Sequence, residues 1–328
     1  MNARLPNGPG SAAVAVPAAP GPADPPVAPQ TEPRPIHPRP ALLYLAVCLM
    51  VVSWTVNLPV GKVALVSFPP LLLISLRTVL AALFILPAFV WANPRRRRIA
   101  PGDIPGLIQV CLLGQIGNQV LFVVGLNNTS VSHSVFIFSL APILVLLLAA
   151  RVGQEHFTSR KLVGMFVSAA GVVLLSFDKA NGGGPTLFGD AMILLSTCAF
   201  SFFTVMSKPY RDRYGAVTVN TFAYLSGAVT LLPVIPYFVW GQAFRLGEVS
   251  ATGWTALLYM AVFPAVIGYV IYYYALGFIA ASRLSAFNYL QPPLATTLGV
   301  LFLAEPLTPL LLTGGTLILL GVALTERS

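Results

Sequence analysis

Residues 132–175 read SHSVFIFSLAPILVLLLAARVGQEHFTSRKLVGMFVSAAGVVLL. Two apolar runs, 131–150 and 160–177, flank a short polar turn carrying Arg151 and Glu155, and Arg160 and Lys161 open the second run. Each run approaches the ~20 residues a helix needs to cross the hydrocarbon of a bilayer. Neither alternates as a membrane strand does, and both are too long for one, which argues against a barrel. The stretch reads as a helical hairpin in lipid.

The same material extends in both directions. Apolar segments run roughly 41–60, 70–92, 104–126, 131–150, 160–177, 187–207, 217–239, 254–276, 284–304 and 308–324. Turn residues separate them: Phe68-Pro69-Pro70, Pro101-Gly102-Asp103, Asn127-Asn128, the run from Asn181 to Pro185, and Glu305-Pro306. Of 328 residues, 56% are hydrophobic and 9% charged, with mean hydropathy +0.81. A soluble domain needs about a quarter of its residues charged. The expected fold class is an all-α integral membrane protein of ten transmembrane helices. Residues 1–40 differ: twelve are proline, so this segment is expected to be a disordered cytoplasmic tail. It has no apolar core of a signal peptide. Cys48, Cys111 and Cys198 sit in apolar segments without CxxC spacing and read as small buried hydrophobes.

The net charge of +9 would raise nucleic acid as a partner in a soluble chain. Here its distribution explains it. With the N-terminus in the cytoplasm, fifteen Lys and Arg fall on the cytoplasmic side, and three, Lys62, Lys179 and Arg245, on the other. The positive-inside rule then places both termini in the cytoplasm. No nucleic-acid partner is required, and nothing calls for a cofactor or metal.

Shifted by 150 residues, segment 132–175 falls on 282–325 with twelve identities in forty-four ungapped positions. They include Ser132/Ser282, Pro142/Pro292, Glu155/Glu305, Thr158/Thr308, Gly164/Gly314 and Gly171/Gly321. Upstream, Pro87 and Trp91 meet Pro236 and Trp240, and Lys62 meets Lys208. The chain thus divides into repeats at 41–177 and 187–325. Five helices per repeat is odd, so the second copy enters the membrane from the opposite side. Two inverted repeats around a central site are a recurring plan of secondary transporters.

Several of these residues carry a family resemblance. Trp54-Thr55-Val56-Asn57 with Lys62, Arg77 in the second helix, and Gly125-Leu126 before Ser132 resemble the EamA type of the drug/metabolite transporter superfamily. So do Ala275-Leu276 before Ser282, Ala141-Pro142-Ile143 with Glu155, and Gln291-Pro292-Pro293 with Glu305. The second repeat departs from the pattern, with Phe200 and Phe203 where the Trp and Asn fall. The resemblance implies a ten-helix transporter of the bacterial inner membrane, often an exporter of amino acids or other metabolites.

Polar side chains inside a bilayer tend to face the bundle interior. Gln115, Asn118 and Gln119 lie at i, i+3 and i+4 on one side of the third helix. They serve either a solute or interhelical hydrogen bonding. Tyr269 and Tyr273 share a face of the eighth helix, and Asn288, Tyr289 and Gln291 precede a double proline that disturbs the ninth. With Trp54 and Asn57 these residues form the expected substrate site. Amide and phenol groups without a carboxylate suit a neutral or zwitterionic solute with an apolar part. Among small multidrug-resistance relatives an acidic residue in the first helix couples transport to protons; residues 41–61 contain none. Facilitated diffusion or exchange is therefore expected, and His133 is expected to be structural. A sugar-phosphate or nucleotide-sugar carrier would want several central Lys or Arg, of which Arg77 alone qualifies. An intramembrane enzyme lacks support: there is no HExxH, GxSxG or intramembrane aspartate pair. The repeat also pairs charges at the two mouths. Lys62 with Glu305 on the outer side, and Lys208 with Glu155 on the inner, are expected to act as alternating gates.

Overall fold

A computed structural model of the protein describes residues 40–92, 99–151, 159–175, 177–178, 185–276 and 287–326. The described residues form helical rods joined by short turns. These are α1 (Pro40–Ser67), α2 (Pro70–Ala92), α3 (Ile104–Val110, a π-turn at Cys111–Ile116, then Gly117–Asn128) and α4 (Val131–Phe138 and Ala141–Arg151). There follow α5 (Ser159–Leu175), α6 (Leu187–Met206) and a short surface helix, Lys208–Tyr214. The rest comprises α7 (Ala216–Leu231, ending in a π-turn at Tyr237–Gly241), α8 (Ala251–Val262, a π-turn at Phe263–Gly268, then Tyr269–Leu276), α9 (Gln291–Leu303) and α10 (Pro309–Glu326).

Seven of these rods, α1 to α4 and α6 to α8, are long and apolar enough to cross a membrane. The apolar parts of α5 and α10, Leu162–Leu175 and Pro309–Leu324, are shorter. α9 has 13 residues. At 1.5 Å per residue it rises ~20 Å, less than the ~30 Å hydrocarbon core. Its length is cut by Pro292 and Pro293 at one end, behind a 3-10 turn at Phe287–Leu290, and by Ala304 in the left-handed region at the other.

The surface is inverted relative to a water-soluble protein. Val66, Trp240, Phe166 and Leu301 are 89%, 82%, 76% and 71% exposed, while Thr78, Gln115, Ser196 and Thr197 are fully buried. Apolar side chains facing outward at this density are stable only in lipid, where helices satisfy their own backbone groups. The protein is thus a multi-pass membrane protein. Cys111 is buried as expected, but Cys48 and Cys198 are exposed. Lipid accepts a thiol as readily as the core does. α1 runs to Ser67 rather than ending near 60, carrying Pro59 within it.

Helix pairing is reciprocal. α3 lies along α6 as α8 lies along α1, and α4 meets α6 as α9 meets α1. α2 pairs with α7 and α5 with α10. The α5–α10 crossing is the tightest. A Cβ on Gly171 would stand 2.6 Å from the Gly314 carbonyl, and one on Gly321 would strike Gly164 and Ser168. Between them Ser168 Oγ donates to the Ile318 carbonyl at 3.0 Å. Absent side chains let the two backbones approach, which is how membrane helices associate without a hydrophobic driving force.

Candidate functional site

The middle of the bundle holds a buried arginine among amides and phenols. Arg77 on α2 is 6% exposed, and its Nε donates to the Met260 carbonyl of α8 at 3.2 Å. The phenols of Tyr224 on α7 and Tyr269 on α8 lie within electrostatic reach of the guanidinium. Gln115 on α3 lies beside the same two hydroxyls, yet neither of its amide atoms completes a well-directed hydrogen bond. Gln119 Nε2 faces the Tyr224 hydroxyl at 3.5 Å, and its Oε1 has no partner. On α7 both amide atoms of Asn220 and the hydroxyl of Thr221 are buried and unpaired.

Local sequence seats these groups. The two π-turns occupy corresponding places in α3 and α8. One contains Gln115, and the other ends immediately before Tyr269. Such bulges re-aim the side chains around them and favour functional sites. Pro264, inside the second, accepts the Trp54 indole N–H at 3.0 Å. Trp54 then stacks obliquely on Tyr269 and Tyr272, with ring centroids 5.4 and 5.6 Å away. Gly268 leaves the room, since a Cβ there would stand 2.6 Å from Trp54 Nε1. An aromatic wall therefore adjoins the polar cluster.

Of the expected site residues, Trp54, Gln115, Gln119 and Tyr269 come together here. Asn57 is one turn from Trp54, with Oδ1 buried and unpaired. Asn118 turns instead toward α6, where its Oδ1 accepts from Ser196 Oγ at 2.7 Å. Gln291 is half-buried at the start of α9. The side chains of Tyr273, Asn288 and Tyr289, and all of Glu155, lie outside the described residues. Sequence reasoning left out Asn220, Thr221 and Tyr224 and kept Arg77 off the site. The signal was present: Asn220, Thr221 and Tyr224 form a polar stripe in an apolar helix, as Gln115 and Gln119 do.

A second buried cluster closes one end of the bundle. His133 on α4 places Nδ1 3.1 Å from Asp190 on α6 and Nε2 3.4 Å from Asp178 after α5. Thr129 donates to Asp190 at 2.5 Å, and Thr308, before α10, donates to Asp178. Beside it Glu305 accepts from the Val131 and Ser132 amides at 2.6 and 3.1 Å and from Ser132 Oγ at 2.8 Å. A carboxylate at the start of α4 complements the positive end of the helix dipole. Lys62 lies within electrostatic reach of Glu305, but no nitrogen–oxygen distance of 4.0 Å or less joins them. Lys208 is exposed on the short helix.

Comparison with known proteins fits this architecture. An uncharacterized transporter of Archaeoglobus fulgidus is 29% identical over 87% of this chain and 98% of its own length. A protein of Streptantibioticus cattleyicolor named "Probable terminal-alkyne amino-acid exporter" is 29% identical over 86% of this chain and 92% of its own. An uncharacterized transporter of Bacillus subtilis is 27% identical over 84% and 88%. A crystal structure of a protein 18% identical overlays with a TM-score of 0.61, covering 87% of this chain and 96% of the other, which speaks for the fold. The family model for EamA-like transporters matches twice, over residues 41–177 and 187–327. The chain belongs to the EamA-like transporter family.

Proposed function

We propose that this membrane transporter is a ten-span protein of the bacterial inner membrane. In this reading both termini are cytoplasmic, and two inverted five-helix repeats, 41–177 and 187–325, alternate access to one central site. The cargo is a small neutral or zwitterionic metabolite such as an amino acid, exported by facilitated diffusion or exchange. The observation that carries the reading is the mid-bundle cluster of buried polar groups, of which Gln115, Gln119, Asn220 and Thr221 keep atoms without a well-directed hydrogen bond. Buried polar groups in a finished structure are normally paired. Groups left over in the centre of a transporter are suited to a cargo's own polar atoms. Reciprocal helix pairing supports the repeat. A two-fold relating residue i to i+150 turns the contact of Gly171 with Gly314 into that of Gly321 with Gly164, and both occur. The relative named an amino-acid exporter supports the solute class.

The test is counterflow of a labelled amino-acid mixture in proteoliposomes. Gln115→Leu should remove counterflow while the protein stays monodisperse in detergent. Full counterflow by that variant would displace the site from the bundle centre. Lys62 with Glu305 and Lys208 with Glu155 remain the proposed gate pairs of the two mouths.

A further inference from the structure

We propose that Arg77 is the seat of a carboxylate, and that the cargo is an organic acid whose amino group, where it has one, is not read. The inference rests on the transporter reading above and redefines its solute class by a carboxylate, setting the neutral solute aside.

The argument starts from charge. A guanidinium has five N–H donors and no acceptor, and it stays protonated. Arg77 spends one donor on a neutral carbonyl, and the phenols beside it are neutral as well. The carboxylates whose side chains are described, all but Glu326 within these segments, are engaged elsewhere or exposed. Asp178 and Asp190 hold His133, Glu305 caps α4, Asp103 pairs with Arg213, and Glu248 with Arg245. Asp212 is exposed on the short helix. Among the described residues Arg77 thus has no counter-ion. A buried charge without a partner is among the costliest features a fold can carry. An anion arriving from outside would remove that cost, and a carboxylate matches the guanidinium fork with two parallel hydrogen bonds.

The unpaired amides are a second, independent observation. Gln115 is fully buried and Asn220 nearly so, and none of their four amide atoms completes a well-directed hydrogen bond. Their N–H groups, with the hydroxyl of Tyr224, can complete the shell of the bound oxygens. The apolar remainder of the solute has the adjoining Trp54, Tyr269 and Tyr272 rings. An ammonium group would meet neutral amide oxygens, such as those of Asn57 and Gln119, but no countercharge. No described carboxylate faces the cluster, and the positive charge of Arg77 repels it.

The experiment uses the full chain in detergent, read by thermal unfolding, with three probes: 3-phenylpropionate, phenylalanine and phenylalaninamide. A ligand that binds the folded state raises Tm. The two acids should raise it and the amide should not. Arg77→Gln should weaken the acids roughly ten- to a hundredfold, the usual worth of hydrogen bonds to a charged group. The same variant should unfold without the acids no earlier than the wild type, because it removes an uncompensated charge. Equal stabilisation by the amide, no stabilisation by either acid, or an early-melting Arg77→Gln that still responds to the acids would each overturn the assignment. Counterflow separates it from the transporter reading. Acid binding without flux leaves Arg77 assigned and removes transport. Flux of the amide equal to that of the acids keeps transport and removes the carboxylate site.

Discussion

Two buried polar clusters, built from similar materials, stand in opposite states. The end cluster sets one imidazole between two carboxylates, with Thr129 and Thr308 donating to the same two acids. Its members come from α4, α6, the turn between α3 and α4, and the turns after α5 and before α10, so it ties these elements together. Among the described residues the central cluster has a cation without an anion, and several of its amide atoms lack a well-directed hydrogen bond. Low dielectric strengthens every interaction in a satisfied network and penalises every group missing from one. The same physics therefore makes the first cluster a brace and leaves the second in need of a partner.

The sharpest way to break this contrast is to remove one polar group from each. His133→Leu strands two buried carboxylates that had faced a single ring. Breaking a buried charge pair from one side costs about 3–5 kcal/mol, so this variant should melt far earlier or fail to leave the membrane intact in detergent. Gln115→Leu removes a side chain that makes no well-directed hydrogen bond, only loose contacts with the Tyr224 and Tyr269 hydroxyls, and its Tm should stay near that of the wild type. Thermal unfolding of both in one detergent decides the matter. A mild His133→Leu together with a severe Gln115→Leu would reverse the roles assigned to the two clusters.

A finer contrast lies within α3. Asn118 and Gln115 belong to one polar stripe in the sequence, but only Asn118 makes a short, well-directed bond, to Ser196. Asn118→Leu leaves that hydroxyl buried and alone, at about 1–3 kcal/mol. It should lower Tm and reduce counterflow less than Gln115→Leu does. Parallel losses of flux without a difference in Tm would return both amides to a single role.

This pair also shows how far the sequence could be read. Apolar run lengths sufficed to find the seven rods long enough to cross a membrane, because lipid forces each crossing segment to bond its own backbone. The i, i+3, i+4 spacing correctly put Gln115 and Gln119 near one another, since they are a full turn apart. It could not tell that Asn118 faces α6: adjacent residues on a helix point about 100° apart, and a π-turn precedes them. Arg77 was visible as an intramembrane cation, but its lack of a counter-ion depends on where Asp178 and Asp190 go. They go to His133, a long-range fact that local spacing does not encode. The Asn220–Tyr224 stripe was legible and was passed over.

The smallest effect concerns Glu305, where bracing and gating meet. Its carboxylate takes both free amides at the start of α4 and the Ser132 hydroxyl, so it caps the helix that carries His133. Glu305→Gln keeps one acceptor oxygen, turns an NH2 toward a donor the other oxygen had served, and loses the charge that complements the dipole, the charge alone worth about 0.3–1 kcal/mol. Tm should fall slightly. Lys62→Gln should leave Tm unchanged, because Lys62 reaches Glu305 only through space and a partly exposed ion pair contributes about 0–1 kcal/mol. Gating adds a different readout. In a background with Cys48, Cys111 and Cys198 replaced by alanine, Asn57→Cys reports access to the centre by maleimide labelling from the Glu305 side. If the two charges help close that mouth, Glu305→Gln and Lys62→Gln should both speed labelling by a similar factor, although only one of them lowers Tm. Unchanged labelling in both variants, with the small Tm loss in Glu305→Gln alone, would make Glu305 a helix cap and nothing more.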